Sequence, residues 1–236
     1  MSPIDVDGVE ALTFDCYGTL VDWESGILAT LRPVLETHGV ERSDSDVLEL
    51  FGTLESRIQA TAFGSYRSVL EAVMSMLASQ LGFAPSQDER TALADELGTW
   101  PVFPDTRQAL ERLASRFKLA IVSNIDDELF AQTQDAIGIQ FAEVVTAEQV
   151  RSYKPERAHF DEALRRLGLD RRQVIHVAQS LFHDIAPASA LGLRTLWVRR
   201  RASLEGGGAT PRANATPDHA VDDLASAADL LLGLPD

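Results

Sequence analysis

The chain has 236 residues, 45% of them hydrophobic and 24% charged, enough apolar material to bury a sizeable core as one domain or as a domain carrying an insertion. That balance excludes disordered, collagen-like and coiled-coil chains. Asp and Glu number 36 against 21 Lys and Arg, and the net charge of −15 repels phosphate backbones and anionic membrane surfaces, so no nucleic acid and no membrane is expected as a partner.

The single cysteine, Cys16, excludes an internal disulfide and a thiolate zinc cluster, and it fits a reducing compartment. The first residues are acidic and lack the basic start and apolar run of a secretory signal, and no stretch of about 18 apolar residues occurs. The expected location is cytoplasmic.

In chain order, residues 10–14 form a short apolar, β-prone run that stops at Asp15, and Tyr17-Gly18-Thr19 supplies a turn after it. From Trp23 onward the spacing becomes helical, with helices expected at 26–37, 46–61, 66–81 and 88–97. Four successive helices without a strand indicate an inserted helical unit. Beyond the Pro-containing stretch 100–104 the pattern alternates: helix 105–116, strand 118–122, helix 127–136, strand 142–145, helix 156–167, strand 173–178, helix 183–191 and strand 194–198. Such alternation predicts an α/β fold, a parallel sheet with helices on both faces. Residues 202–218, rich in Gly and Pro, read as a loop, and 221–234 as a closing helix.

Ligands of parallel sheets sit beyond the carboxyl ends of the strands, so Asp15, Ser123 and Gln179 are expected to converge on one crevice. Asp15 suits a nucleophile beside turn N–H groups, or an Asp that merely opens a turn. Lys154 is one of only two lysines and precedes a helix, where a solvated charge is the ordinary role. Ser123-Asn124 can donate into the crevice or cap the next helix. The stretch 176–184 runs from strand to helix and carries an amide, an imidazole and a carboxylate; His183 or Asp184 can cap that helix or activate water.

These elements, Asp15-Cys16-Tyr17-Gly18-Thr19, Ser123-Asn124, Lys154-Pro155 and Asp184, occur in an order that closely resembles the haloacid dehalogenase superfamily of aspartate-nucleophile hydrolases. The resemblance covers nearly the whole chain. It implies a Rossmann-like core over 1–21 and 101–236 and a helical cap domain over 22–100. It further implies Asp15 as nucleophile, Thr19 and Ser123 positioning substrate, Asn124 following Ser123 as in the dehalogenase branch, Lys154 balancing charge, and Asp184 in the acidic fourth motif. A homodimer is the assembly it suggests.

Phosphatases of the superfamily carry a second Asp where Tyr17 stands and a metal-binding carboxylate where Gln179 stands, so the expected chemistry needs no metal, and Mg²⁺ belongs only to the phosphatase alternative. The Asp-x-Tyr-Gly-Thr motif instead resembles the L-2-haloacid dehalogenases, in which a carboxylate displaces halide and water then cleaves the resulting ester, with Asp184 or His183 as base. This chain departs from that branch: Gln179 and Leu181 replace a Ser and an Asn, Phe160 replaces a Tyr, and Gly52 falls near an anion-binding cap Arg. Candidate replacements are Tyr66, Arg67, Arg57 and Gln59, with Arg57 alternatively paired with Glu55 on a solvated face. Cys16, Tyr17, Tyr66, Arg67 and Gln179 are the expected substrate-binding residues, and Trp23 and Phe63 the candidate apolar lining.

The expected function is hydrolysis of a small 2-haloacid, a carboxylic acid substrate, through an aspartyl ester. The alternatives are opening of a strained ring or another C–N or C–O cleavage by the same Asp15, a Mg²⁺-dependent phosphatase, or a non-catalytic binding module. His38, His159 and His219 are read as solvent or helix-end residues without a role.

Overall fold

The computed structural model describes residues 4–201 and 208–234. Its six strands, β1 (Ala11–Phe14), β2 (Lys118–Ser123), β3 (Glu143–Thr146), β4 (Val174–Ala178), β5 (Arg194–Val198) and β6 (His219–Val221), form one parallel sheet in the order β3-β2-β1-β4-β5-β6. Strands β1 and β4 are buried at every position, which explains their unbroken apolar runs: a strand covered on both faces has no solvent side to alternate with. The strand order reverses beside β1, so Asp15 emerges at the point where the crossovers part and a crevice opens.

Between β1 and β2 lie α1 (Trp23–Thr37), α2 (Asp44–Gln59), α3 (Tyr66–Leu81), α4 (Gln87–Asp95) and α5 (Thr106–Ala114). Each of the first four starts on a side-chain cap, from Asp22, Ser43, Ser65 and Ser86, and Ser86 with Glu89 completes a capping box. Their apolar faces join Leu12 and Phe14 of the sheet in one continuous cluster through Ile27, Phe51, Leu70 and Trp100. The remaining helices are α6 (Asp127–Ile137), the single turn α7 (Ala147–Val150), α8 (Ala158–Leu167), α9 (Ala186–Ala190) and α10 (Leu224–Leu232).

The sequence pattern misplaces the C-terminal elements. Residues His219–Val221 pair with Leu196–Val198 as the edge strand β6, and the closing helix begins only at Leu224, capped by the Asp223 side chain on the Ser226 N–H. Three residues are too few to show strand periodicity. Of the expected loop 202–218, residues 202–207 lie outside the described residues, and 208–218 are irregular as expected.

Among the described residues no helix is long and apolar enough to cross a membrane. Gly26 of α1 lies against the Trp100 ring, and a Cβ there would sit 2.2 Å from the ring's Cγ. Gly→Ala inside a helix ordinarily stabilises by about 1 kcal/mol, but this overlap reverses the sign. Gly26→Ala is expected to lower the urea midpoint, with a net loss of about 1–3 kcal/mol.

Candidate active site

The loop after β1 is wound tightly enough to aim Asp15 outward. The Cys16 carbonyl accepts from the N–H groups of Thr19, Leu20 and Val21, and Gly18 holds φ +94°, a left-handed conformation that disfavours other residues. Thr19 is fully buried and fixes the nucleophile candidate: its hydroxyl donates to Asp15 Oδ2 at 2.7 Å and accepts from the Gln179 N–H at 2.9 Å. Thr19 thereby orients Asp15, whereas the resemblance implies that it positions substrate.

Lys154 projects from the loop before α8 and is 2% exposed. Its three ammonium hydrogens are fully used, donating to Asp15 Oδ1 at 2.9 Å, the Val122 carbonyl at 2.8 Å and Asp184 Oδ1 at 2.6 Å. Asn124 locks this loop by accepting from the Lys154 N–H at 2.7 Å and donating to the Lys154 carbonyl at 3.1 Å. Burial opposes the ammonium's charge, yet the two carboxylates hold its pKa above the usual lysine value.

Asp184 lies in a wide helical turn, Leu181–Ile185, in which the Ile185 N–H reaches back five residues to the Ser180 carbonyl. Such turns recur at functional sites because the extra residue re-aims neighbouring side chains. Here both His183 and Asp184 line one pocket. His176 Nε2 lies 3.0 Å from Asp184 Oδ1 and its Nδ1 lies 2.9 Å from the Thr13 hydroxyl. An ionised Asp184 can only accept, so Nε2 donates to it.

Burial would raise Asp184, but Lys154 and His176 bring it down to about 2. For Asp15 burial prevails: aided by the negative charge of Asp184, it outweighs Lys154 and Thr19, and the pKa rises above the ordinary aspartate value. His183 is held near 4, chiefly by burial, and is neutral at pH 7.

The pocket over Asp15 encloses about 30 Å³ and is lined by Tyr17, Ser123, Asn124, Lys154, Ser180, His183 and Asp184 from below and by Trp23, Glu55 and Tyr66 of the helical insertion. Two buried polar atoms on its walls have no hydrogen-bond partner, Ser123 Oγ and Asp184 Oδ2. An unpaired buried acceptor or hydroxyl costs free energy unless a ligand or water meets it. The insertion is fastened over this pocket at two points. Asp126, in the loop after β2, accepts from the Tyr66 and Arg67 N–H groups at 2.7 and 2.9 Å, and the Tyr153 hydroxyl donates to the Gly64 carbonyl at 2.9 Å.

Several expected binding residues lie elsewhere. Cys16 is buried beneath the loop, where burial pushes its thiol well up and out of reactive range. Arg67 points outward to Asp95, 2.6 Å away. Gln179 contributes its backbone to Thr19, while its side chain faces Gly18 and a neighbouring cavity. Tyr17 and Tyr66 do reach the pocket, their hydroxyls bonded to Thr133 and to Glu55, both at 2.7 Å. Arg57 is exposed and does not pair with Glu55, which is 3% exposed and bonded to Tyr66 and Gln59.

Trp23 lines the pocket, whereas Phe63 stacks under the Arg151 guanidinium in an adjacent groove. His159 stands in the first turn of α8, at a helix end as expected, but is fully buried, and burial with Lys154 lowers it to about 3. Phe160 packs edge-on to the His176 ring, 5.1 Å between centroids.

Glu55, Asp126 and His176 are among the polar residues of the site to which the sequence analysis gives no catalytic or binding role. The signal for Glu55 was present: it continues the buried face of α2 marked by Leu48, Phe51 and Gly52, where an acid is out of place. The donors do not suit the Mg²⁺ of the phosphatase alternative. The Lys154 ammonium lies against Asp15 Oδ1 and Asp184 Oδ1, an amide stands at Gln179 in place of a carboxylate, and of the four oxygens of Asp15 and Asp184, Oδ2 of Asp184 is left unpartnered.

Residues 12–198 match the sequence profile of haloacid dehalogenase-like hydrolases, and the chain belongs to that family of enzymes. It is 26% identical over 198 residues to haloacetate dehalogenase H-2 of Moraxella sp. (strain B), covering 81% of this chain and 86% of that protein. It is 24% identical over 227 residues to an (S)-2-haloacid dehalogenase of Pseudomonas fluorescens, covering 95% and 97%. Its fold is that of the L-2-haloacid dehalogenase of Xanthobacter autotrophicus, at TM-score 0.80 and 23% identity over 96% of this chain and all of that one. A structure of the latter protein holds chloropropionic acid covalently bound, with TM-score 0.79, 20% identity, 96% of this chain covered and 100% of that one.

Removing the shared ammonium leaves two buried carboxylates facing each other. Lys154→Met is expected to destabilise the protein by about 3–5 kcal/mol and to abolish turnover, checked by denaturant unfolding and assay of the soluble fraction.

Proposed function

We propose that this hydrolase displaces halide from C2 of a small 2-haloacid without a metal, with Asp15 as nucleophile. The observation that carries the reading is the Asp15 carboxylate held between Thr19 and Lys154 at the floor of a small pocket beneath the helical insertion. In the first step an Asp15 oxygen forms a bond to C2, and the carbon–halogen bond breaks with its electron pair leaving on halide. In the second, water adds to the ester carbonyl of Asp15, and the 2-hydroxyacid departs as the carboxylate re-forms.

Asp184 is the base for that water. Its unpartnered Oδ2 supports this role, as does its fixed orientation by Lys154 and His176. The Lys154 ammonium stabilises the developing oxyanion, and Ser123 Oγ is free to bond substrate. The dehalogenase names of the relatives and the covalent complex of the Xanthobacter enzyme support the substrate class.

Asp15→Asn is expected to eliminate halide release from (S)-2-chloropropionate with its unfolding midpoint retained; retained activity would refute the nucleophile. Asp184→Asn is expected to slow turnover by about 10²–10⁴-fold and to accumulate ester on the Asp15 peptide, visible as an added mass in a digest. Because only ionised Asp15 attacks and its pKa is raised, activity should fall with decreasing pH through an apparent pKa above 3.8. A plateau extending below that value in a kcat/KM profile would contradict it.

A further inference from the structure

The insertion contributes three side chains to the Asp15 pocket, Trp23, Glu55 and Tyr66, and the one ionisable at neutral pH is an acid. The position one turn earlier on α2 carries no side chain: a Cβ on Gly52 would lie 2.1 Å from the Ala209 carbonyl oxygen, so the loop after β5 closes the place where an arginine was sought. The pocket therefore meets a ligand with the carboxylates of Asp15 and Asp184 and the ammonium of Lys154 below, and with Glu55 above. An acid above the nucleophile suits a leaving group that takes a proton.

The hydrogen bonds on Glu55 place its proton. Oε1 accepts from the Tyr66 hydroxyl at 2.7 Å and from Gln59 Nε2 at 3.2 Å, so a proton on the carboxyl resides on Oε2. Burial raises Glu55 to about 7, against the pull of Tyr66 and Gln59, which keeps a protonated fraction at neutral pH. Halide departs without a proton, whereas an alkoxide or amide leaving group requires one.

We propose that Glu55 is the proton donor of this pocket, and that the further substrates suited to it are small molecules whose leaving group is a ring oxygen or nitrogen. The inference rests on Asp15 as nucleophile. In the reaction an Asp15 oxygen bonds to carbon, the carbon–oxygen or carbon–nitrogen bond breaks with its electron pair going to the heteroatom, and the Glu55 proton passes to that atom. Water then cleaves the aspartyl ester and its remaining proton returns to Glu55, so the net change is addition of one water across the opened bond. Asp15 and Glu55 end as they began.

The test uses the full chain with glycidol as ring substrate and (S)-2-chloropropionate as halide substrate, each with wild type, Asp15→Asn and Glu55→Gln. The expected result is ring opening to glycerol by wild type, none by Asp15→Asn, and a loss of kcat/KM of about 10²-fold or more in Glu55→Gln. Halide release needs no proton, so its loss in Glu55→Gln should be smaller than the loss in ring opening by about tenfold or more. Wild-type ring opening should also decline as pH rises through about 7, a limb that survives as a readout even if the variant fails to fold.

Equal loss in both reactions, or no loss in either, would overturn the donor role. Halide release without ring opening would overturn the substrate class and leave Asp15 as nucleophile. Absence of both products from wild type would overturn both readings.

Discussion

The ammonium of Lys154, shared between Asp15 and Asp184, is the interaction on which the site depends. Two carboxylates at the switch point of a buried sheet repel each other and resist desolvation, and both effects favour protonation. With Lys154 between them, all three of its hydrogens committed, both acids are held in place and kept apart. The settlement is unequal. Asp184, with His176 as a second donor, stays strongly acidic, whereas Asp15 has only Thr19 beyond the lysine and remains easier to protonate. A firmly ionised, oriented acid thus stands beside one that is easier to protonate.

That trio requires support from elements far apart in sequence. Asn124, at the end of β2, fastens the backbone of Lys154, and Asp126, two residues on, caps α3 of the insertion. One short loop therefore sets both the floor and the roof of the pocket. The roof brings Glu55 and Tyr66 over Asp15 as a hydrogen-bonded pair.

Much of this was legible in the sequence because parallel strands leave a strong trace. The apolar runs of β1, β2 and β4 end at Asp15, Ser123 and Gln179, and the strand-end rule brings those positions to one edge of the sheet. The rule fixes the backbone and leaves the side chain free. Ser123 turns into the pocket, whereas Gln179 offers its N–H to Thr19 and turns its amide toward a neighbouring cavity. Arg67 followed a glycine at a helix start, yet the first turn of α3 directs it to Asp95. Asp126 caps a helix sixty residues away in the chain, a pairing with no local signature. Glu55 has one, an acid on an apolar helix face.

The central claim is that Asp15 itself bonds to substrate carbon. The direct measurement is a single turnover of (S)-2-chloropropionate, with enzyme in excess, in water enriched in heavy oxygen, followed by mass analysis of both product and the Asp15 peptide. Attack through an aspartyl ester predicts heavy oxygen in the Asp15 carboxylate and ordinary oxygen in the lactate. Heavy oxygen in the lactate with Asp15 unlabelled would mean that water attacks carbon directly, and the account of the site built on Asp15 would be wrong.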